Sequence, residues 1–162
     1  FKLSEIPFIL NHLGVFVAIV CATLGNPDVR EYEMTVSTGQ TQDVCVDDEG
    51  GEHNIGLSVE LHKFTMEVYP DRSPKRFASD VTVSTDDGKT VSGTVEVNKP
   101  LKVNGWKIYQ YAYDVARGPL SEYSVFLLVR DPWIGFVYAG IFMMLAGALG
   151  LMLFMAPKTK RQ

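Results

Sequence analysis

The feature that most constrains this chain is an uncharged segment near its C-terminus. From Trp133 to Ala156 there are 24 residues without Asp, Glu, Lys or Arg. At about 1.5 Å of rise per residue, a helix of this length crosses a hydrocarbon core of roughly 30 Å. We therefore predict a transmembrane helix at 133–156, followed by a basic cytoplasmic tail at 157–162.

A second uncharged segment lies near the N-terminus, between Ile6 and Leu24. Its 19 residues are at the short end of what crosses a bilayer. The sequence Asn26-Pro27-Asp28 ends it, because proline removes a backbone donor and Asn and Asp favour turns. We predict a first transmembrane helix at 1–25 with a short cytoplasmic start, so that both chain ends lie on the same side.

Small residues recur on both predicted spans. Such residues let the backbone of another helix approach closely, and we expect the two spans to pack on each other or on a partner. The small residues are Gly14, Ala18 and Ala22 on the first span and Ala139, Gly140, Ala146, Gly147 and Gly150 on the second.

Most charged side chains lie between the two spans. The segment 26–132 holds 11 Lys and Arg against 18 Asp and Glu, a net charge of −7, while Lys158, Lys160 and Arg161 follow the second span. Basic residues beside a span favour the cytoplasmic side, so we expect 26–132 to form an extracytoplasmic domain. An acidic domain without basic clusters also argues against nucleic acid as a partner, because phosphate contacts need Lys and Arg.

The chain has two cysteines, Cys21 in the first predicted span and Cys45 in the outer segment. A disulfide between them would require Cys45 to reach the membrane surface, so we expect two free thiols. No Cys-x-x-Cys-His motif occurs, which means that the chain is not itself a c-type cytochrome.

The segment 26–132 shows the alternation of β-strands and contains no amphipathic helix. Apolar residues alternate from Leu57 to Leu61, but the phase shifts at Phe64, which predicts a bulge or a break. Asp86-Asp87-Gly88 predicts a hairpin between two valine-rich strands. We predict two transmembrane helices flanking an extracytoplasmic, antiparallel β-sandwich or barrel-like domain. Its predicted strands lie within 32–36, 44–46, 57–68, 81–83, 91–97, 106–113 and 123–129.

His12 is the sharpest candidate for a functional residue, because ionisable groups within a membrane span are costly to bury. At 100° per residue, His12 shares a helix face with Phe8, Val15, Phe16 and Ile19, away from the small residues. Such an apolar wall suits a porphyrin. The alternative is a histidine that hydrogen-bonds a neighbouring helix.

The other chemical candidates are weaker. We expect His53 in a solvated loop and His62 at the phase shift, nine residues apart and without the short spacing of a zinc site. The acidic residues within 47–52 favour a solvated loop and lack the EF-hand spacing. No nucleophile elbow, phosphate-binding loop or zinc-protease motif is present.

Two motifs and a following membrane helix resemble the ResB (CcsB) family of cytochrome c biogenesis proteins. The first is similar to the family's "F..E.YP…PK.F.S" segment and the second to its "VN.PL…G…YQ" stretch with a later "DP". The matching residues are Phe64, Glu67, Tyr69-Pro70, Pro74-Lys75, Phe77 and Ser79, then Val97-Asn98, Pro100-Leu101, Gly105, Tyr109-Gln110 and Asp131-Pro132.

The resemblance implies a subunit of System II cytochrome c maturation in a bacterial cytoplasmic (inner) membrane or an equivalent energy-transducing membrane. Its outer, periplasmic β-domain would act with a CcsA-type partner, which carries a tryptophan-rich haem-binding segment, to present haem to apocytochrome c. Some family members carry a histidine in the helix before the outer domain, and it serves as an axial ligand of haem b. The resemblance thus assigns the haem iron ligand to His12.

The outer segment is shorter than the family's usual outer domain, and family members usually carry further membrane helices upstream. A non-catalytic, membrane-anchored scaffold or accessory subunit of a larger complex therefore remains an alternative, and such a protein would show no haem absorption. Tyr109, Tyr111 and Tyr113 are also open to two interpretations. Their alternation predicts one strand face, which either packs in the core or contacts haem or apocytochrome.

Overall fold

The computed structural model describes residues 5–71 and 73–154, with Phe154 described by its backbone alone. These residues form two compact units. One contains the chain up to Val29 and again from Asp131, and the other is Arg30–Arg130. The predicted tail at 157–162 lies outside the described residues.

The first unit is a pair of helices, α1 (Ile6–Gly25) and α2 (Ile134–Phe154), and both are long and apolar enough to cross a membrane. A short 3-10 turn (Asn26–Asp28) follows α1. Helix α2 begins after Asp131, whose Oδ1 accepts hydrogen bonds from the backbone N–H groups of Trp133 and Ile134. These bonds satisfy two of the donors that every helix start leaves unpaired.

Glycines bring the two helix backbones into contact, as the small residues predicted. A Cβ atom on Gly14 would lie 2.4 Å from the Met144 nitrogen, and one on Gly140 would lie 2.6 Å from the Ala18 nitrogen. Ala22, Ala139 and Ala146 are exposed instead, so their predicted place in the contact is wrong. Ala139 and Ala146 each precede a contact glycine by one residue, which turns them about 100° around the helix.

The second unit is one antiparallel sheet of eight strands, in the order β5-β4-β3-β2-β1-β8-β7-β6. The predicted all-β domain between two apolar helices is thereby confirmed. The strands are β1 (Arg30–Ser37), β2 (Thr41–Val46), β3 (Glu52–Val68), β4 (Pro74–Thr85), β5 (Thr90–Glu96), β6 (Leu101–Val103), β7 (Trp106–Tyr113) and β8 (Tyr123–Arg130).

The sheet curls until its two ends meet, so it forms an open barrel rather than a sandwich. A Cβ on Gly93 of β5 would lie 2.9 Å from the Leu101 side chain of β6. Across the interior, the Ser79 hydroxyl of β4 donates a 2.6 Å hydrogen bond to Oε1 of Gln110 on β7. The fully buried core side chains include Met34, Leu57, Leu61, Ile108, Phe126 and Leu128.

Irregular pairing explains the pattern of side chains along two strands. The predicted bulge in β3 is confirmed, because its pairing with β4 shifts between Leu61 and Lys63. A second shift, between Gln110 and Ala112 of β7, was not predicted. It changes which alternate residues point inward. Tyr111 is consequently 58% exposed while Tyr113 contacts the ring of Phe64, so the prediction of one tyrosine face is wrong.

Candidate functional site

His12 lies on the exposed face of α1, opposite the contact with α2. Phe8, Phe16 and Ile19 share this face and are 51%, 63% and 60% exposed. The imidazole packs against the Phe8 ring with 4.1 Å between centroids. The histidine therefore projects from an apolar surface and away from the helix pair.

A hydrogen bond fixes the tautomer of His12. Its Nδ1 lies 2.9 Å from the backbone carbonyl oxygen of Phe8. A carbonyl oxygen only accepts, so Nδ1 carries the proton and donates. In the neutral ring Nε2 then keeps its lone pair, and it has no hydrogen-bond partner among the described residues. Metal-binding histidines commonly have this arrangement, with the second ring nitrogen donating to a backbone carbonyl.

The neighbouring polar residue, Asn11, has a different role. Its Nδ2 donates a 2.9 Å hydrogen bond to the Met144 carbonyl oxygen of α2. A Cβ on Gly147 would meet the Asn11 backbone nitrogen at 2.4 Å, which shows how closely the helices approach there. Hydrogen bonding to the neighbouring helix, the alternative considered for His12, is thus provided by Asn11. The sequence alone could not identify this partner, because it lies 133 residues away along the chain.

Trp133 and Asp28 join the ends of the two helices. The Trp133 indole N–H donates a 2.7 Å hydrogen bond to Asp28, and the indole covers Gly25 so closely that a Cβ there would lie 2.5 Å from the ring. A tryptophan with its N–H on a polar group suits the boundary between lipid and water. This contact holds the ends of α1 and α2 together.

His53 is not in a loop, as the sequence predicted, but in β3. It pairs with Cys45 of β2, and its Nε2 lies 2.6 Å from Oδ2 of Asp47. This hydrogen bond, together with the backbone N–H of Gly51, lowers the pKa of Asp47 below its ordinary value. The Tyr32 ring lies 4.9 Å from the imidazole. His53 is therefore held by local partners on the barrel wall.

His62 lies at the bulge of β3, where the phase shift placed it. Its Nε2 is 2.7 Å from the Thr82 hydroxyl and its Nδ1 is 3.7 Å from Glu60. Within residues 5–71 and 73–154, no three His, Cys, Asp or Glu side chains are grouped as a metal site requires. Among these residues, His53 and His62 therefore belong to no such group.

The two cysteines are free, as expected. Cys45 is fully buried, and burial raises the pKa of its thiol. The Cys45 thiol donates to the His53 carbonyl oxygen at 3.3 Å. It behaves as a core residue, because a thiol in an apolar setting with a raised pKa is a poor nucleophile.

Arg76 joins two carboxylates near the turn of the β3–β4 hairpin. Its guanidinium donates to Glu67 at 3.1 Å and to Glu96 at 2.7 Å. These bonds lower the pKa of both carboxyl groups, and they raise the pKa of the guanidinium. Lys75 and Asn98 line a shallow cleft beside this group. The two motifs that carry the family resemblance therefore meet here in space.

Comparisons with known proteins agree on one family. The sequence model described as the ResB-like family matches residues 2–121. The cytochrome c biogenesis protein CcsB of Prochlorococcus marinus (strain NATL1A) is 31% identical over 108 residues, 67% of this chain and 24% of that protein. The cytochrome c biogenesis protein Ccs1 of Pyropia yezoensis is 36% identical over 60 residues, 36% of this chain and 14% of that protein. The chain thus spans about a quarter or less of the length of these curated relatives.

Among solved structures, the fold resembles that of a cytochrome c haem lyase. The cytochrome c haem lyase CcmF matches with a TM-score of 0.52 over 94% of this chain and 25% of that chain, at 17% sequence identity. At this identity the likeness concerns the fold alone.

Proposed function

The chain belongs to the ResB-like family, and we propose that it serves System II cytochrome c maturation by handling haem across the membrane together with a CcsA-type partner. Haem handled in this way would be presented for covalent attachment to apocytochrome c. The curated relatives carry names from cytochrome c biogenesis, which supports the proposal.

The geometry of His12 carries the haem part of the proposal. Its imidazole projects from an apolar helix face, and the Phe8 carbonyl holds the proton on Nδ1. Nε2 is then the atom that could bind iron. Haem b, when bound, would supply an iron that Nε2 of His12 would hold and an apolar ring that Phe8 and Phe16 would cover. The residues on this face fit such a group, because they are large, apolar and exposed.

The placement of the barrel is part of the same proposal. Basic residues follow the second span, so the positive-inside tendency puts both chain ends in the cytoplasm of a bacterial cell or the equivalent compartment. The barrel then lies on the periplasmic side, where haem is attached. We expect a membrane-impermeant thiol reagent to label Gly88→Cys in intact spheroplasts, and to label Thr159→Cys only after lysis. The reverse pattern would contradict this orientation.

The decisive experiment replaces His12 in the full-length protein, expressed together with its partner. His12→Gly should lose the haem absorption of the purified complex and reduce c-type cytochrome in the cell. It leaves a gap of one imidazole beside Phe8, so added imidazole should restore part of both signals. A histidine with a purely structural role leaves no iron to bind, and imidazole would then have no effect.

His53→Gly and His62→Gly are the matched controls, because both remove an imidazole from the same chain. We expect neither to change haem content. Normal haem content and normal cytochrome maturation in His12→Gly would refute the ligand assignment. The result would favour the alternative of a non-catalytic scaffold or accessory subunit.

A further inference from the structure

Strand β8 carries apolar residues on both of its faces. Ser124, Phe126 and Leu128 point into the barrel and are fully buried, while the alternate residues Val125, Leu127 and Val129 point outward and are partly exposed. An antiparallel strand with one solvated face normally alternates apolar and polar residues. We call Val125, Leu127 and Val129 the β8 outer face. The exposed parts of these three side chains give this side of the barrel an apolar strip that a second molecule can contact.

The pairing register places carboxylates directly beside this face. Leu127 pairs with Glu33 of β1, and Glu33 pairs in turn with Val46 of β2. One step along, Val129 pairs with Glu31. Side chains opposite each other on one sheet face have Cβ atoms about 5 Å apart. Each glutamate therefore lies next to an outward apolar side chain.

A small cleft lies between the acidic and apolar residues. It has a volume of about 90 Å³, and Val46 and Leu127 line it together with Glu31, Glu33 and Asp48. On this measure a single water molecule needs about 10–15 Å³, so the cleft has room for a group of several heavy atoms. The cleft can take the end of a Lys or Arg side chain, with the methylene groups on the apolar residues and the charge among the carboxylates.

The charge around the cleft is not neutralised by the chain itself. Residues 31–62 contain eight Asp and Glu and no Lys or Arg. Within the part of the chain that the structure describes, Glu31, Glu33 and Asp48 form no ion pair. Asp47, which also lines the cleft, remains ionised because its hydrogen bond with His53 lowers its pKa. On its β1 side, the β8 outer face is thus bordered by carboxylates that form no ion pair, while on its β7 side Lys107 pairs with Val129.

We propose that the β8 outer face, with Glu31 and Glu33, is a docking surface for a basic polypeptide segment whose apolar residues cover Leu127. Charge complementarity selects this occupant, because it speeds association and excludes partners of like charge. Nucleic acid and anionic lipid carry the wrong sign. A second copy packed by this face about a two-fold axis would bring its own glutamates near Glu31 and Glu33. This inference does not depend on haem binding by His12.

The test uses the full-length protein in detergent and a short labelled peptide in which Lys alternates with Val and Leu. We expect this peptide to bind and to bind more weakly as salt rises. The same peptide with Glu at every Lys position should not bind. Two exposed ion pairs contribute little each, so Glu31→Gln with Glu33→Gln should weaken binding about fivefold. Leu127→Thr keeps the strand propensity and should weaken binding about threefold by removing apolar contact.

The matched control is Asp71→Asn with Asp86→Asn, which removes the same charge from exposed turns elsewhere on the barrel. We expect it to change binding by less than about twofold, as screened, distant charges do. Equal weakening by the control would show general electrostatic attraction and overturn the proposal. Equal binding of the Glu peptide would also overturn it, as would no measurable binding of the Lys peptide. A dimer that Leu127→Thr dissociates would assign the face to a second copy instead.

Discussion

A chain of buried polar side chains, two hydroxyl groups and one amide, crosses the barrel and allows a sharp prediction about stability. Ser79 of β4, Gln110 of β7 and Ser124 of β8 are 0%, 3% and 0% exposed. The Ser79 oxygen is 2.6 Å from Oε1 of Gln110 and 2.8 Å from the Ser124 oxygen. The Gln110 amide nitrogen donates to the Ala112 carbonyl, next to the bulge in β7. These three side chains therefore connect three strands through the core.

The chemistry of the groups fixes the direction of each hydrogen bond. Oε1 of Gln110 can only accept, so Ser79 uses its single proton there. Ser79 has none left for Ser124, and Ser124 must be the donor between the two hydroxyls. The protons thus run from Ser124 to Ser79 to Gln110. Ser79 is the only member of this set that both accepts from a side chain and donates to one.

This order predicts unequal effects from two similar substitutions. Ser79→Ala leaves the Gln110 oxygen without a donor and the Ser124 hydroxyl without an acceptor. Each buried, unsatisfied group costs about 1–3 kcal/mol, so we expect a loss of about 3 kcal/mol in the free energy of unfolding. Ser124→Ala removes one donor and leaves the bond from Ser79 to Gln110 intact. Its cost should be about 1 kcal/mol.

Urea unfolding of the detergent-solubilised chain measures the difference. Trp106 is buried in the barrel, and its fluorescence reports unfolding in a Trp133→Phe background. With a slope of about 1–3 kcal/mol per molar urea, Ser79→Ala should lower the midpoint by about 1–3 M. Ser124→Ala should lower it by about a third as much. Equal midpoints for the two variants, or a larger loss for Ser124→Ala, would refute the proton order.

Two further predictions concern the helix pair and the acid stability of the barrel. Gly140→Leu forces the helix backbones apart and should shift the Trp133 fluorescence emission toward that of solvent-exposed indole. The control, Ala146→Leu on the exposed side of α2, should leave the emission unchanged. Equal spectra for the two variants would contradict the close contact between the helices. Arg76 lowers the pKa of two carboxyl groups whose ordinary value is 4.5. Their contribution to stability is present above that value and is lost as the pH falls through the lowered folded-state values. Arg76→Gln should therefore make the unfolding midpoint less sensitive to acid, and an unchanged pH profile would contradict this cause.

Strand positions could be predicted from the sequence where the alternation of apolar residues is strong. The shift from Leu61 to Phe64 correctly gave a bulge, because side chains that change phase within one strand need an extra residue. β6 was missed because three residues are too few to show a period. In β2, Val44 and Val46 marked the strand, but Cys45 between them is the buried residue. Two valines that point outward give the same alternating sequence pattern as two that point inward, so the pattern alone does not show which face is buried.

The bulge in β7 shows a different limit. Tyr109, Tyr111 and Tyr113 alternate without interruption, so nothing in their spacing reveals the shift between Gln110 and Ala112. The shift depends on the pairing with β8 and on the Gln110 amide, which binds the Ala112 carbonyl at 2.8 Å. Long-range pairing decided the faces of this strand, and a local pattern does not contain it.

The sequence predicted the helix face on which His12 lies, but not the hydrogen bond that its imidazole forms. The angle of 100° per residue correctly placed His12 with Phe8, Phe16 and Ile19, away from Gly14. The bond from Nδ1 to the Phe8 carbonyl depends on the rotamer of the imidazole, which spacing does not give. Haem ligation by His12 stays a prediction until the glycine variant is measured.

The pairing of β1 with β8 also affects how the whole chain folds. Arg30 pairs directly with Arg130, so the folded barrel brings together the two residues at which it connects to the helical unit. The connector between α1 and α2 is more than a hundred residues long. Once the barrel is folded, only the few residues on either side of the Arg30–Arg130 pair still act as a flexible connector. Loop-closure entropy for such a reduction corresponds to about 2 kcal/mol in favour of helix pairing. By thermodynamic linkage, pairing of the helices stabilises the folded barrel by the same free energy. Folding of the helical unit or of the barrel therefore favours folding of the other, because the two are joined by the chain. A substitution that destabilises one unit lowers the stability of both.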